Sequence, residues 1–466
     1  MEPLIHTFSE AYALSNRSHR DDLQSVGFQL AESFSPLSNI EGHNGLRRVL
    51  NSTNSAFVKR DVKNALVKYK GLTKLSSDEL NGWAEVFCAY WRALGHVVSM
   101  TDGAASDCSS SWKTTYDSWR EFTSQLIRGY TNHGFEYWTF PCLYTAGKYL
   151  RIFAIRADSE RNTNVAASDA IQLGDDFDPE LEMNQTLRDC EQQLKRIFTL
   201  CLSDRAPIEE SRKWGLYYIV NLLFKTYFKL NSASLSRTIL KALSAYQGDM
   251  PPLSSFPAAQ RVTFKYYEGV LSFLEENYME AERHLTDAWL QCSDIDAPRN
   301  KEQILTYLIP CHLLTTHTLP SAKLLAPFPS LQQLFQPLAQ SIKRGDLAGF
   351  DAALAHGEDE FIRRRIYLTL ERGRDIVLRN LLRKVFITGG FDAPKAPGDA
   401  PVRRTRVPVD EFRAAVSLAS GRTLDTDEVE CLLANMIYKN LMKGYIARDR
   451  GIVVLSKTGA FPGTGV

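Results

Sequence analysis

The sequence predicts an all-α protein with a small α/β module at its C-terminal end. Hydrophobic residues recur at three- and four-residue steps over most of the chain, as in Leu80, Trp83 and Phe87, which is the spacing of one helix face. Nothing before about residue 440 alternates like a set of strands. With 466 residues, 44% of them hydrophobic and 23% charged, the chain has enough apolar material for a large core.

Residues 1–55 are polar, with Ser, Asn and Pro between short amphipathic pieces, and this composition predicts a loosely ordered N-terminal arm. N-terminal helical repeats are predicted over 56–235, and a helical stack over 236–387. The strongest repeat signal lies at Tyr267–Trp289, where Gly269 and small residues after it fit the packing positions of a tetratricopeptide-like helix pair. An ordinary helical hairpin would produce the same pattern.

The chain changes character after this stack. Residues 388–408 are rich in Pro, Gly and Ala and are predicted to form a loop without regular structure. A short helix is predicted over Val409–Ala419. Asp425 and Glu428 stand three residues apart, which is the spacing of a capping box at the start of a second helix.

The second helix is predicted over Asp427–Lys443 and is followed by a β-hairpin. The hairpin strands are Tyr445–Ala447 and Ile452–Leu455, joined by a turn that contains glycine. Helix, turn, helix and hairpin is the element order of a winged helix. A winged helix is therefore predicted over 409–457.

The sequence carries no recognisable catalytic or metal-binding motif. It contains no H-E-x-x-H, no phosphate-binding G-x-x-x-x-G-K-[ST] and no G-x-S-x-G. Its eight cysteines are scattered without any C-x-x-C pair, so they are predicted to be reduced thiols. We expect no enzymatic activity, no catalytic residues, no metal and no cofactor. Without an apolar leader or a long apolar span, we also expect no membrane contact.

Basic residues are the main candidates for nucleic-acid binding, although the net charge of the chain is only +1. If the segment after Phe361 ends in one helix, Arg372, Arg379 and Arg383 share a narrow sector and form a basic ridge beside Lys384. A solvated face or salt bridges to a neighbouring helix would explain the ridge equally well. The other candidates, on and around the winged helix, are Arg403, Arg404, Arg406, Lys439, Lys443, Arg448 and Arg450.

A second stripe on the helix of the winged helix is a candidate partner interface. Cys431, Asn435, Tyr438 and Met442 lie at four-, three- and four-residue steps, away from the main apolar face. Aromatic and Met side chains are enriched at interfaces, so this stripe is predicted to meet another protein. Burial against the chain's own repeats is the alternative.

Four long segments of the chain are similar to a known family. They are RKWGLYYIVNLLFKTYFKLN, AQRVTFKYYEG, FIRRRIYLTLERGRDIVLRNLLRKVF and DEVECLLANMIYKNLMKGYIA. In order and spacing these segments resemble the PCI-domain proteins of the Thp-one and PCID-two type, whose fungal members are often named subunit twelve of the COP-nine signalosome. The resemblance extends from about Phe57 to the C-terminus.

The resemblance implies a PCI domain over 236–457, in which tetratricopeptide-like helices are capped by the winged helix. It implies pairing with a second PCI protein, help from a small acidic Sem/Dss-type protein, and RNA or DNA binding by the assembled complex. The function that the resemblance implies is nuclear mRNA processing, transcription-coupled splicing and mRNA export, as in the TREX-two complex. We therefore expect a location in the nucleus, and the cytoplasm is a second compartment compatible with the resemblance. A protein-only scaffold subunit associated with the COP-nine signalosome or a related PCI assembly is the alternative.

Overall fold

A computed structural model of the chain describes residues 2–15, 20–36, 58–69, 72, 75–101, 111–168, 184–392 and 402–465. These residues are mostly helical, and the predicted fold class is confirmed. The first ten helices are α1 (Glu2–Ser15), α2 (Arg20–Ser33), α3 (Val58–Lys68), α4 (Ser77–Thr101), α5 (Trp112–Asn132), α6 (Phe140–Ser168), α7 (Gln185–Leu202), α8 (Leu216–Lys229), α9 (Ser236–Ala245) and α10 (Ala258–Leu274).

The remaining elements include the only strands among the described residues. They are α11 (Tyr278–Gln291), α12 (Pro298–Thr315), α13 (Ala322–Leu325), α14 (Pro329–Arg344), α15 (Leu347–His356), α16 (Glu358–Arg363), α17 (Tyr367–Glu371), α18 (Arg374–Thr388), β1 (Phe391–Asp392), β2 (Val402–Arg403), β3 (Arg406–Pro408), α19 (Val409–Ser420), α20 (Thr426–Tyr438), β4 (Gly444–Ala447) and β5 (Ile452–Leu455). The chain divides into two compact units, residues 1–264 and 265–466, so the division falls inside α10 rather than after residue 235. No described helix is long and apolar enough to cross a membrane.

The N-terminal segment is ordered helix where a loosely held arm was expected. Phe8 of α1 is fully buried, and its ring lies 4.6 Å from that of Trp83 in α4. Phe34, just after α2, is also fully buried and packs 5.7 Å from Phe87. The apolar residues of the segment therefore pack against α4, which a composition rich in Ser and Asn did not reveal. The rest of the predicted arm, residues 37–55, lies outside the described residues.

The predicted repeat pair is present as α10 and α11. Gly269 of α10 faces α11 so closely that a Cβ atom at this position would lie 2.6 Å from Cγ of Leu285. Ala281, Leu285 and Ala288 are all fully buried on the facing side of α11. The small residues therefore allow a close approach between the helices, as in tetratricopeptide-type packing.

The C-terminal module has the predicted winged-helix order, with an additional strand. β5 pairs antiparallel with β4, and β3 pairs with the other side of β5, which gives the sheet order β3-β5-β4. β3 comes from the loop 388–408, for which no regular structure was expected. β1 and β2 from the same loop also pair with each other, while residues 393–401 lie outside the described residues. Extended Pro-rich chain can join a sheet at its edge, so the Pro-rich composition does not exclude the edge strand β3.

Candidate partner and nucleic-acid interface

The helix α20 begins as predicted and ends earlier than predicted. Asp425 accepts a hydrogen bond from the backbone of Glu428, and the Glu428 side chain accepts one from the backbone of Asp425, which completes a capping box. The helix ends at Tyr438, and Asn440 adopts a left-handed conformation with φ 55°. The expected continuation of the helix to Lys443 is therefore wrong.

This early end separates the four residues of the predicted partner stripe. Met442 lies beyond the helix and is only 1% exposed, so it belongs to the core of the winged helix. Cys431, Asn435 and Tyr438 are exposed on one side of α20, and Tyr438 is 89% exposed. We call these three residues the helix stripe. An almost fully exposed tyrosine is a favourable anchor for a partner, because it offers a large apolar surface with a polar end.

A second exposed surface lies on the three-stranded sheet. Arg406 is paired with Val454 in register, and Val454 with Tyr445, so these side chains form a row across one face. Arg406 and Tyr445 are exposed, whereas Val407 and Val453, in the next row, face the core. We call the row of Arg406, Val454 and Tyr445 the wing face. The contribution of Tyr445 was missed, although its position in an alternating strand could have indicated it.

The predicted basic ridge does not form. Arg372 lies between α17 and α18 instead of on one helix with the others, and it makes an ion pair with Glu276 at 2.7 Å. Arg379 is only 6% exposed, and burial, assisted by the charge of Arg383, lowers its pKa. Arg383 is half-buried and donates a hydrogen bond to the carbonyl of Thr464. Two of the three predicted phosphate ligands are therefore packed into the protein.

Five more of the basic candidates are engaged within the chain. Their contacts are Lys384 Nζ to the Arg344 carbonyl at 2.8 Å, Arg403 over the Phe391 ring at 4.6 Å, Arg404 with Glu411 at 3.0 Å, Lys439 with Asp375 at 2.6 Å, and Arg448 with Asp427 at 2.6 Å. Ion pairs between exposed side chains contribute little to stability. They nevertheless neutralise the charge that a phosphate would need.

Three of the basic candidates remain unpaired among the described residues. The side chains of Arg406, Lys443 and Arg450 are exposed and make no described hydrogen bond or ion pair. Arg406 is part of the wing face, and Lys443 directly precedes the strand that carries Tyr445. Arg450 lies in the turn between β4 and β5. Arg406 and Lys443 are thus the unpaired cations on and next to the wing face, and Arg450 is an unpaired cation in the turn.

The described residues offer little reactive chemistry. They hold no group of three or more His, Cys, Asp or Glu side chains suited to a metal ion. Burial raises the pKa of the Cys142, Cys190 and Cys201 thiols, and a thiol with a raised pKa is a poor nucleophile.

Comparison with known proteins identifies the family of the chain. Residues 354–457 match the PCI domain family. The chain is 60% identical to the Protein CSN12 homolog of Neurospora crassa, over 100% of each chain. The chain belongs to the CSN12 homolog family. The Protein CSN12 homolog of Schizosaccharomyces pombe is 35% identical over 82% of this chain and 83% of its own.

The animal branch of the predicted resemblance is also found. PCI domain-containing protein 2 of Xenopus laevis is 32% identical, over 72% of this chain and 76% of its own. The predicted family is thereby confirmed in both branches. The PCI match ends at residue 457, where the predicted winged helix ends, and it includes the wing face and the helix stripe.

Proposed function

We propose that this chain is a non-catalytic scaffold subunit that pairs with a second PCI protein through its winged helix. The observation that carries the proposal is the 89% exposure of Tyr438, which lies within the PCI match. Tyr445 on the sheet is 61% exposed. Large exposed apolar side chains on a compact module are typical of protein-binding surfaces.

The assembled pair, together with a small acidic Sem/Dss-type protein, would form a platform for RNA or DNA in the nucleus. Its role would lie in mRNA processing, transcription-coupled splicing and mRNA export, as in the TREX-two complex. The unpaired cations Arg406, Lys443 and Arg450 support this part of the proposal, because phosphate contacts need charge and reach rather than base-specific geometry. Three cations bind weakly alone, so the partner would supply the rest of the basic surface.

A protein-only scaffold associated with the COP-nine signalosome is a second candidate. It is favoured by the internal pairing of most basic candidates, including Arg372, Lys439 and Arg448. It also agrees with the name of the fungal relatives, Protein CSN12 homolog.

Salt-dependent RNA binding by the assembled pair separates the two candidates. The pair should bind single-stranded RNA more tightly than either subunit alone, and the affinity should fall as salt rises. Exchange of Arg406 and Lys443 for Glu should weaken this binding. RNA binding that is equal for the pair, the single chain and this variant would leave the protein-only scaffold as the function.

A further inference from the structure

An apolar cavity opens in the N-terminal unit, within residues 1–264. Its volume is about 410 Å³, which is in the range of ligand and peptide pockets. Its walls come from α2, from α6 with the turn before it, from the turn before α8, and from the Met250–Pro252 segment. Aromatic and proline side chains dominate the lining, among them Phe28, Tyr144, Trp214, Tyr218, Pro251 and Pro252.

Close backbone contacts hold these walls in place. A Cβ atom at Gly27 would lie 2.1 Å from the Trp138 carbonyl oxygen, and one at Gly215 would lie 1.8 Å from Cε1 of Phe140. Only glycine permits both approaches, so α2 and the turn before α8 lie directly against the aromatic wall. A cavity with tightly packed walls needs little rearrangement on binding, which reduces the free-energy cost of association.

The mouth of the cavity exposes apolar side chains to solvent. Phe28 is 36% exposed and Ile208 is 44% exposed, and both line the cavity. A partner that inserted a large apolar side chain would cover these residues as well as fill the interior. Aromatic anchors of this kind dominate the energy of many interfaces.

The charge of the lining selects among possible occupants. Arg212 lines the cavity, but its guanidinium makes an ion pair with Asp204 at 3.0 Å and donates a hydrogen bond to the Tyr130 carbonyl. Glu209 also lines the cavity, is exposed, and makes no ion pair with any described residue. The uncompensated charge of the lining is therefore negative.

We propose that this cavity binds a peptide segment of a partner protein that inserts one large apolar side chain and carries Lys or Arg beside it. The apolar side chain fills the aromatic interior, and the basic residue meets the Glu209 carboxylate at the mouth. This occupant differs in charge from the small acidic protein of the proposed function. The proposal also does not depend on pairing through the winged helix.

Fluorescence polarisation with the full chain tests the proposal without any PCI partner. The probes are labelled eleven-residue peptides with a central Trp or Leu, flanked on both sides by Lys in one set and by Glu in a matched set. The Lys-flanked peptides should bind, and the Glu-flanked peptides should bind at least about tenfold more weakly. Binding by the Glu-flanked peptides alone, or by neither set, would overturn the proposal.

Charge reversal in the protein supplies the decisive variant. Glu209→Lys should weaken the Lys-flanked peptides about tenfold and should strengthen the Glu-flanked ones, because the charge at the mouth is inverted. Glu210→Lys is the matched control, since Glu210 is exposed on the same short helical turn but does not line the cavity. Equal effects of the two substitutions would show a general charge effect and would overturn the proposal. Both residues are exposed, so both variants should fold.

Discussion

The contrast between Tyr438 and Met442 gives a prediction that separates binding from folding. Met442 is 1% exposed, and replacing a buried Met with Ala costs about 2–5 kcal/mol of stability. Tyr438 is 89% exposed, so Tyr438→Ala should change the free energy of unfolding by no more than about 0.5 kcal/mol. If Tyr438 anchors the PCI partner, the same substitution should cost about 2 kcal/mol of binding, or roughly thirtyfold in affinity.

The assay needs two readouts on the full chain. Urea unfolding gives the stability of each variant, and titration with the co-purified PCI partner gives the affinity. Tyr246→Ala is the matched control, because Tyr246 is also exposed, at 43%, but lies in the N-terminal unit. A Tyr438→Ala variant that is as unstable as Met442→Ala would refute the exposed position of Tyr438. A stable Tyr438→Ala variant that pairs with unchanged affinity would refute its role in the interface.

Three further predictions concern packing, pH and nucleic acid. Gly269→Ala should destabilise the chain by about 1–3 kcal/mol in urea unfolding, because the added methyl group meets Leu285. Burial alone would raise the pKa of Asp204, but its contacts with Arg212 lower the pKa to about 2. The unmodified chain should therefore have a larger free energy of unfolding than Asp204→Asn above about pH 4. This difference should disappear as the pH falls towards 2. Exchange of Arg406 and Lys443 for Glu should reduce the salt slope of single-strand binding by about 1.4, which is two phosphate contacts.

Matched controls make these three predictions specific. Leu285→Ala should relieve the effect of Gly269→Ala, so the double variant should be less unstable than the sum of the two single variants. If the stability difference caused by Asp204→Asn stayed constant down to pH 2, the lowered pKa would be wrong. Exchange of the paired residues Arg372 and Lys439 for Glu changes the net charge equally. If it reduced RNA binding as much, the unpaired cations would have no special role.

Local sequence signals predicted the elements of the C-terminal module well. The capping box at Asp425 and the hairpin that ends in Ile452–Leu455 each depend on residues a few positions apart, and both are present. The small residue Gly269 likewise indicated a close helix approach that the structure contains. Such features can be predicted because the residues that determine them lie in the same short segment.

Features that depend on contacts between distant segments could not be predicted from the sequence. The burial of Arg379 and the ion pair of Arg372 with Glu276 depend on how separate helices pack, and a helix-face argument alone cannot supply this. The apolar pattern continues past Tyr438 and so predicts Met442 on an exposed stripe, but the helix ends at Tyr438 and Asn440 adopts a left-handed conformation. The aromatic cavity was missed for the same reason, since its walls come from segments more than a hundred residues apart.

The most direct test of the proposed function is purification of the tagged chain from its own cells after nuclease treatment, followed by mass spectrometry of the retained proteins. We predict recovery of one other PCI protein and a small acidic Sem/Dss-type protein with the unmodified chain, and loss of the PCI protein with Tyr438→Ala. Recovery of a complete signalosome, unaffected by this substitution, would contradict the proposed mRNA scaffold and would support the protein-only alternative.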